Sequence, residues 1–410
     1  MIQIPELLSP AGDEASLRAA LHFGADAVYG GMKRFGLRAF AGNFDEQALE
    51  NAVRLVHQAG KRFYATLNSY PFDDEMEDFL EAAGLARDLG VDAVIVSDPG
   101  AIRMLRQRLP DLAVHVSTQA NTLNTPAVEL YREMGCERVI LAREMSLARI
   151  AAMKQRVGDS IQLETFVHGA SCMSYSGRCL LSAWMTGRSA NRGACAQPCR
   201  WKYSVVEEKR PGEYYPVSED ENGTYIFSAR DLCLMPLLPE LAEAGISSLK
   251  IEGRMKTEYY VAVVTGAYRR GLDALRKGRE AFEAAAPDLI RELASASHRK
   301  SDTGFMLDRP EQPGGAEGFH QEREYKGLVT ADADAEGICR IQLKNRIFAG
   351  ETLELMTPEG IRRVKATPFL REKTGETVDT LGVGGEMIRM RAPGARTGDM
   401  LRGEVRNHRT

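Results

Sequence analysis

Up to about residue 270, short apolar runs alternate with stretches whose apolar positions recur every three or four residues. The runs Glu6–Ser9, Ala27–Gly30, Phe63–Asn68, Ala93–Ser97, Ala113–Thr118, Arg138–Ala142, Gln162–Val167 and Ser248–Glu252 read as strands, most of them bounded by Gly, Asp, Asn or Pro. Between them Glu14–Phe23, Glu46–Ala59, Glu75–Leu89, Ala101–Leu109, Pro126–Met134 and Leu237–Ala244 read as amphipathic helices. Gly24, Gly60, Gly90, Gly135 and Gly245 follow five of the helices, where a left-handed stop is expected. Eight strands alternating with helices fit a closed (β/α)8 TIM-like barrel or a doubly wound open sheet. The count of eight favours the barrel. So does the turn after the first strand, Pro10-Ala11-Gly12-Asp13, which lacks a glycine-rich phosphate loop.

One unit is too long. Roughly eighty residues separate the seventh and eighth strands, far more than an ordinary crossover, and they hold five of the seven cysteines. In a barrel such an insertion rises from the C-terminal face, where active sites sit. Residues 281–324 are rich in turn formers (Gly304, Pro310, Pro313, Gly314, Gly315, Gly318) and read as a connection. After Tyr325 the pattern changes to short strands, Tyr325–Thr330, Cys339–Leu343, Thr352–Met356, Arg362–Thr367 and Met387–Arg391, which predict a small all-β barrel domain. The expected organisation is a catalytic barrel over 1–280 with a cysteine-rich insertion at 168–235, a linker over 281–324, and a β-domain over 325–410.

Composition narrows the picture. With 410 residues, 44% hydrophobic and 27% charged, the chain can bury a large core and is not a disordered polyelectrolyte. No apolar run approaches the roughly 20 residues of a membrane span, and Met1–Pro10 lacks a signal-peptide pattern. A cytoplasmic protein with no membrane association is expected, in which thiols stay reduced. The formal net charge of −4 excludes a strongly basic protein, but the segment from Arg340 onward carries 14 Lys/Arg against 9 Asp/Glu. A locally basic module of this kind suits contact with a nucleic-acid backbone or is ordinary surface charge.

The cysteines carry the most chemistry. Cys172, Cys179, Cys195 and Cys199 fall within 28 residues of the insertion, and Cys233 follows. Four thiolates hold zinc or an iron–sulfur cluster. Six residues between the first two are too many for a tight zinc knuckle, which tilts the spacing towards iron–sulfur. Cys136 and Cys339 sit beside predicted strands and read as buried small hydrophobes. No H-E-x-x-H and no G-x-S-x-G is present. His168, four residues before Cys172, reads as a base or as a hydrogen-bonded neighbour of the thiols. Polar residues at the strand ends are expected to face substrate: Tyr29, Arg38, Asn68, Asp98, Gln119, Asn121, Arg143, Glu144, Glu164, Lys250, Glu252 and Arg254. In Lys250-Ile-Glu252-Gly-Arg254, alternation puts Lys250 and Glu252 on one inward face, to hold a carboxylate or to pair with each other.

The segment Glu164-Thr-Phe-Val-His-Gly169-Ala-Ser-Cys172-Met-Ser-Tyr-Ser-Gly177-Arg-Cys179 resembles the signature of the collagenase-like peptidases, once filed as peptidases of unknown type. Ser171 departs from the aliphatic residue usual there. Pro5–Gly12, Gly24–Gly31, Ser117-Thr-Gln119 and Lys250–Arg254 resemble further blocks of that family, over about two-thirds of the chain. Thr186–Arg200 and the added β-domain are most similar to its TrhP-like branch of bacterial tRNA hydroxylation proteins. The resemblance implies oxygen-independent hydroxylation of the wobble uridine of tRNA to 5-hydroxyuridine, with prephenate, a small dicarboxylate, as the hydroxyl source. It implies a 4Fe–4S cluster on Cys172, Cys179, Cys195 and Cys199, with Cys233 a rival to Cys199. It also implies tRNA as partner and, since some members work in pairs, a paralogous protein partner. On this reading His168, Glu252 and Lys250 are candidate catalytic groups, and Arg38, Asn68, Gln119, Arg143 and Arg254 candidate substrate contacts, the arginines pairing with the carboxylates. The competing readings are a collagenase-like peptidase and a non-enzymatic RNA-binding protein with a structural metal site.

Overall fold

The computed structural model describes residues 3–38, 42–172, 174–201, the short strands at 205–206, 214–215, 219–220 and 223–224, and residues 230–307, 320–382 and 384–405. Eight parallel strands form the first domain: β1 (Glu6–Ala11), β2 (Ala27–Gly31), β3 (Arg62–Leu67), β4 (Ala93–Val96), β5 (Val114–Val116), β6 (Arg138–Ile140), β7 (Gln162–Ala170) and β8 (Ser248–Ile251). Each pairs with the next, and β8 pairs with both β7 and β1, so the barrel is closed. These are the eight strands the apolar runs predict, with C-terminal ends displaced by one to three residues.

The helices begin and stop as their sequences dictate. Asp13, Asp45, Asp98 and Asn124 each accept a hydrogen bond from a backbone N–H in the first turn of α1 (Glu14–His22), α2 (Glu46–Gln58), α4 (Pro99–Arg108) and α5 (Thr125–Glu133). The predicted glycine stops all have positive φ, from 67° at Gly60 to 92° at Gly24. The layer also includes α3 (Met76–Asp88) and α6 (Leu147–Val157). The insertion carries α7 (Leu181–Thr186), and the chain continues with α8 (Leu238–Glu243), α9 (Glu258–Lys277) and α10 (Arg279–Leu293). No helix among the described residues is long and apolar enough to cross a membrane.

The barrel interior holds a charge network as well as apolar layers. Glu164, fully buried on β7, accepts from Lys250 Nζ at 3.1 Å and from Arg138 Nη1 at 2.9 Å. Arg138 also reaches Glu6 at 2.7 Å. Two carboxylates therefore neutralise two cations within the barrel.

The stretch expected as a linker is largely structured. Helix α10 runs through Leu293 and buries Phe282, Leu289 and Leu293. Ser301–Asp302 then adds a strand beside Asp231–Cys233. The glycines and prolines that suggested a connection all lie from Gly304 onward; before them the apolar spacing is helical.

The C-terminal domain is an antiparallel sheet of eight strands around its own core of Val329, Cys339, Ile341, Leu353, Leu355 and Phe369. Strand Met400–Glu404, absent from the sequence expectation, lies centrally between Arg323–Ala331 and Thr352–Thr357. This domain docks on α9 and α10. Tyr325 stacks on Tyr259 with ring centres 5.2 Å apart. Arg402 forks onto Glu292 at 2.8 and 2.7 Å, both side chains buried. Met356 and Met400 join the barrel's core.

Candidate active site at the barrel mouth

The segment leaving β8 crosses the barrel mouth, and glycines make room for it. A Cβ at Gly12 would stand 2.1 Å from the Arg254 carbonyl oxygen, and one at Gly31 would stand 2.0 Å from Arg254 Nη1. Only glycine fits at either position while Arg254 lies where it does. Arg254 then donates to Thr66 Oγ1 at 2.9 Å. Glu252 faces Arg143 at 3.3 Å and Arg38 at 3.7 Å. Arg143 lies over the Phe166 ring at 4.3 Å and donates to the Ala170 carbonyl at 3.1 Å. Asn68 accepts from Leu37 N at 3.0 Å and so fixes the loop that carries Arg38.

Charge at this mouth is unbalanced. Burial works to raise the Glu252 pKa, but Arg38, Arg143 and Arg254 outweigh it and hold the carboxylate below its usual range. Burial, with Arg38 nearby, pushes Arg254 down to about 10. Lys250 does not pair with Glu252. Its partner is Glu164, and its ammonium lies 4.3 Å from the centre of the Tyr29 ring. With Lys250 neutralised from below, the pocket keeps three arginines against one glutamate. Such a surplus draws anions.

The same pocket is lined by Cys172, Cys179, Cys195 and Cys199 from the insertion. Three of these sulfurs accept a hydrogen bond from the backbone N–H two residues on: Ser174 to Cys172 at 3.4 Å, Leu181 to Cys179 at 3.3 Å, and Gln197 to Cys195 at 3.3 Å. Barrel residues tie the insertion down. Glu144 accepts from Ser176 N at 2.5 Å and Ser176 Oγ at 2.6 Å, and Arg178 Nε donates to the Gln119 carbonyl at 3.0 Å. Among the described residues no three cysteine, histidine or acidic groups converge as they would around a single ion. Four thiolates that each bind a separate iron of a cubane are spread more widely than four on one ion. The donor set suits the cluster: four sulfurs around one pocket, three of them supplied with N–H donors, beside surplus positive charge.

Two expected residues lie elsewhere, for one reason. Lys250 pairs with Phe166, but Ile251 pairs with His168, leaving Val167 as an extra residue in β7. This bulge inverts the alternation, and His168 shares the outward face of Ile251. Its ring meets Tyr268 and Tyr260 of α9 at 5.6 and 6.1 Å, and burial pushes its pKa down to about 4. Cys233 is paired with His168 across the antiparallel strand Asp231–Cys233, so it too faces away from the pocket, towards Tyr268. Cys199, not Cys233, shares the pocket with the other three cysteines.

Of the remaining strand-end residues, Tyr29, Arg38, Asn68, Gln119, Arg143, Lys250, Glu252 and Arg254 all line the pocket. Asp98 is instead the cap of α4, and Glu164 lies beneath the pocket as the partner of Lys250. Gln119 Oε1 and Arg143 Nε are buried without a hydrogen-bond partner. Thr66 and Phe166 line the pocket too and were not anticipated. Alternation contained the signal, since they lie two residues from Asn68 and Glu164 on the same inward faces.

The sequence model of Peptidase family U32 matches residues 12–315, and that of the Peptidase family U32 C-terminal domain matches residues 321–402. The chain is 33% identical to tRNA hydroxylation protein P of Haemophilus influenzae, across 95% of this chain and 93% of that protein. It is 35% identical to tRNA hydroxylation protein P of Escherichia coli, across 87% of each. It is 39% identical to the 23S rRNA 5-hydroxycytidine C2501 synthase of Escherichia coli, across 67% of this chain and 40% of that one.

Proposed function

We propose, for a chain that belongs to Peptidase family U32, that the barrel mouth hydroxylates tRNA, converting the wobble uridine to 5-hydroxyuridine with prephenate as the hydroxyl source. The observation that carries this reading is the meeting, in one pocket, of four cysteines with a surplus of arginines. Replacing C5–H by C5–OH is a two-electron oxidation of the base. A hydroxyl donor must balance it by its own two-electron reduction. Cys172, Cys179, Cys195 and Cys199 would hold a 4Fe–4S cluster, which when bound would supply one-electron chemistry without molecular oxygen.

The chain's own groups bind and orient. Arg143 and Arg254 supply the guanidinium donors that pair with the two carboxylates of prephenate, and Arg38 adds to the field. Glu252 keeps the arginines apart and aimed across the mouth through its contacts to Arg38 and Arg143. Gln119 offers an unpaired acceptor to a base entering from the β5 side. The peptidase reading lacks support from His168, which faces α9 and not Cys172. Nucleoside mass spectrometry of tRNA from cells with and without the gene tests the proposal. Loss of 5-hydroxyuridine and its derivatives in the deletion strain, restored by the wild-type gene, is the expected result. Unchanged tRNA in a strain without paralogues would exclude it.

A further inference from the structure

The insertion carries a second feature that pocket chemistry does not use. From Cys172 to Trp201 the chain holds Arg178, Arg188, Arg192 and Arg200 and no acidic residue, and this stretch contains both tryptophans of the protein. Trp184 lies on α7, whose neighbouring residues Leu181 and Ser182 line the pocket, yet its side chain is 84% exposed. Leu180, Met185 and Trp201 are exposed as well. At that exposure Trp184 buries almost nothing and adds little to the fold. Arg192, eight residues on in the same insertion, is held by an ion pair with Glu75 and lies over the Phe72 ring.

Resting on the RNA reading above, we propose that Trp184 and the basic segment around it form the platform on which unpaired bases of the tRNA loop stack, beside the pocket that receives the target base. Aromatic faces interleaved with arginine are the chemistry of single-stranded nucleic-acid binding: the rings stack on bases and the guanidiniums follow the backbone. A second copy of this chain fits less well, because a two-fold contact would bring one arginine-bearing segment without acidic residues of its own against another.

The test uses the full-length protein, prepared without oxygen, and a fluorescent anticodon stem-loop RNA followed by anisotropy. Trp184→Ala should weaken loop binding about tenfold, the scale of one lost base stack, while Trp184→Phe stays within about threefold of wild type. A blunt RNA duplex of the same length should bind all three proteins alike. Wild-type affinity in Trp184→Ala would overturn the platform and leave tRNA hydroxylation standing if 5-hydroxyuridine still forms. Failure of every protein to bind the loop would overturn both readings. A wild-type protein that self-associates in sedimentation, and a Trp184→Ala protein that does not, would assign the surface to a second copy instead.

Discussion

Replacing Cys172 with serine should remove the iron–sulfur absorbance of anaerobically purified protein and lower tRNA hydroxylation to the level of the gene deletion. The same result is expected for Cys179→Ser, Cys195→Ser and Cys199→Ser, because a cubane with four protein ligands loses one iron's anchor in each case. Cys233→Ser behaves differently. Its thiol faces Tyr268 on the outer side of β7, across from His168. Iron content and visible absorbance should remain at wild-type level in that variant, with at most a modest loss of stability. Iron analysis of the five purified variants checks the set. Loss of the cluster in Cys233→Ser together with its retention in Cys199→Ser would show that the outward face of β7 supplies a ligand, and would overturn the assignment.

The second large effect concerns stability. Glu164→Gln should destabilise the barrel by about 3–5 kcal/mol, the cost of leaving a buried charge without its partner. Lys250 loses its counter-ion, and Arg138 is left with Glu6 as its carboxylate partner beside the neutral Gln162. The urea midpoint at neutral pH should fall accordingly. Adding Lys250→Met should recover much of the loss, since an apolar side chain of similar length needs no partner there. The wild type carries the matching pH signature. Burial raises the Glu164 pKa, but Lys250 and Arg138 outweigh it and bring it below 4.5. A carboxylate whose folded pKa is depressed stabilises the fold fully above its unfolded value. That contribution is lost as pH falls from about 4.5 through the depressed folded value. Unfolding midpoints across this range should show it in the wild type and lack it in Glu164→Gln. Equal midpoints for the two proteins at neutral pH would refute the buried network as a stabilising element.

The barrel was legible in the sequence because its signals are local. Each strand is one apolar run, four helices are opened by an Asp or Asn, and five are followed by a glycine of positive φ where the sequence places one. The pocket was legible because residues at the C-terminal ends of barrel strands converge wherever the barrel closes. Arg38, Asn68, Gln119, Arg143, Glu252 and Arg254 needed only their strand assignments to be brought together. What escaped depends on two segments at once. The extra residue at Val167 is defined by which residue of β8 faces which residue of β7, and no pattern within β7 announces it. That register turns His168 away from the pocket and takes Cys233, paired with it, to the same side. The partners of Lys250 and Glu252, which alternation left as each other or a bound carboxylate, escaped similarly. Alternation brought both residues to the pocket, but their partners, Glu164 on one side and Arg38 with Arg143 on the other, come from distant strands and loops.

The most direct test of the central claim is reconstitution. Wild-type protein holding its cluster is mixed, in the absence of oxygen, with an unmodified tRNA transcript and prephenate labelled with oxygen-18 in its hydroxyl group, and the nucleosides are read by mass spectrometry. The account predicts 5-hydroxyuridine that carries the label, formed only when prephenate is present and absent with Cys172→Ser. A cluster-loaded protein that binds the tRNA and leaves its uridines unchanged, or that inserts unlabelled oxygen, would contradict it.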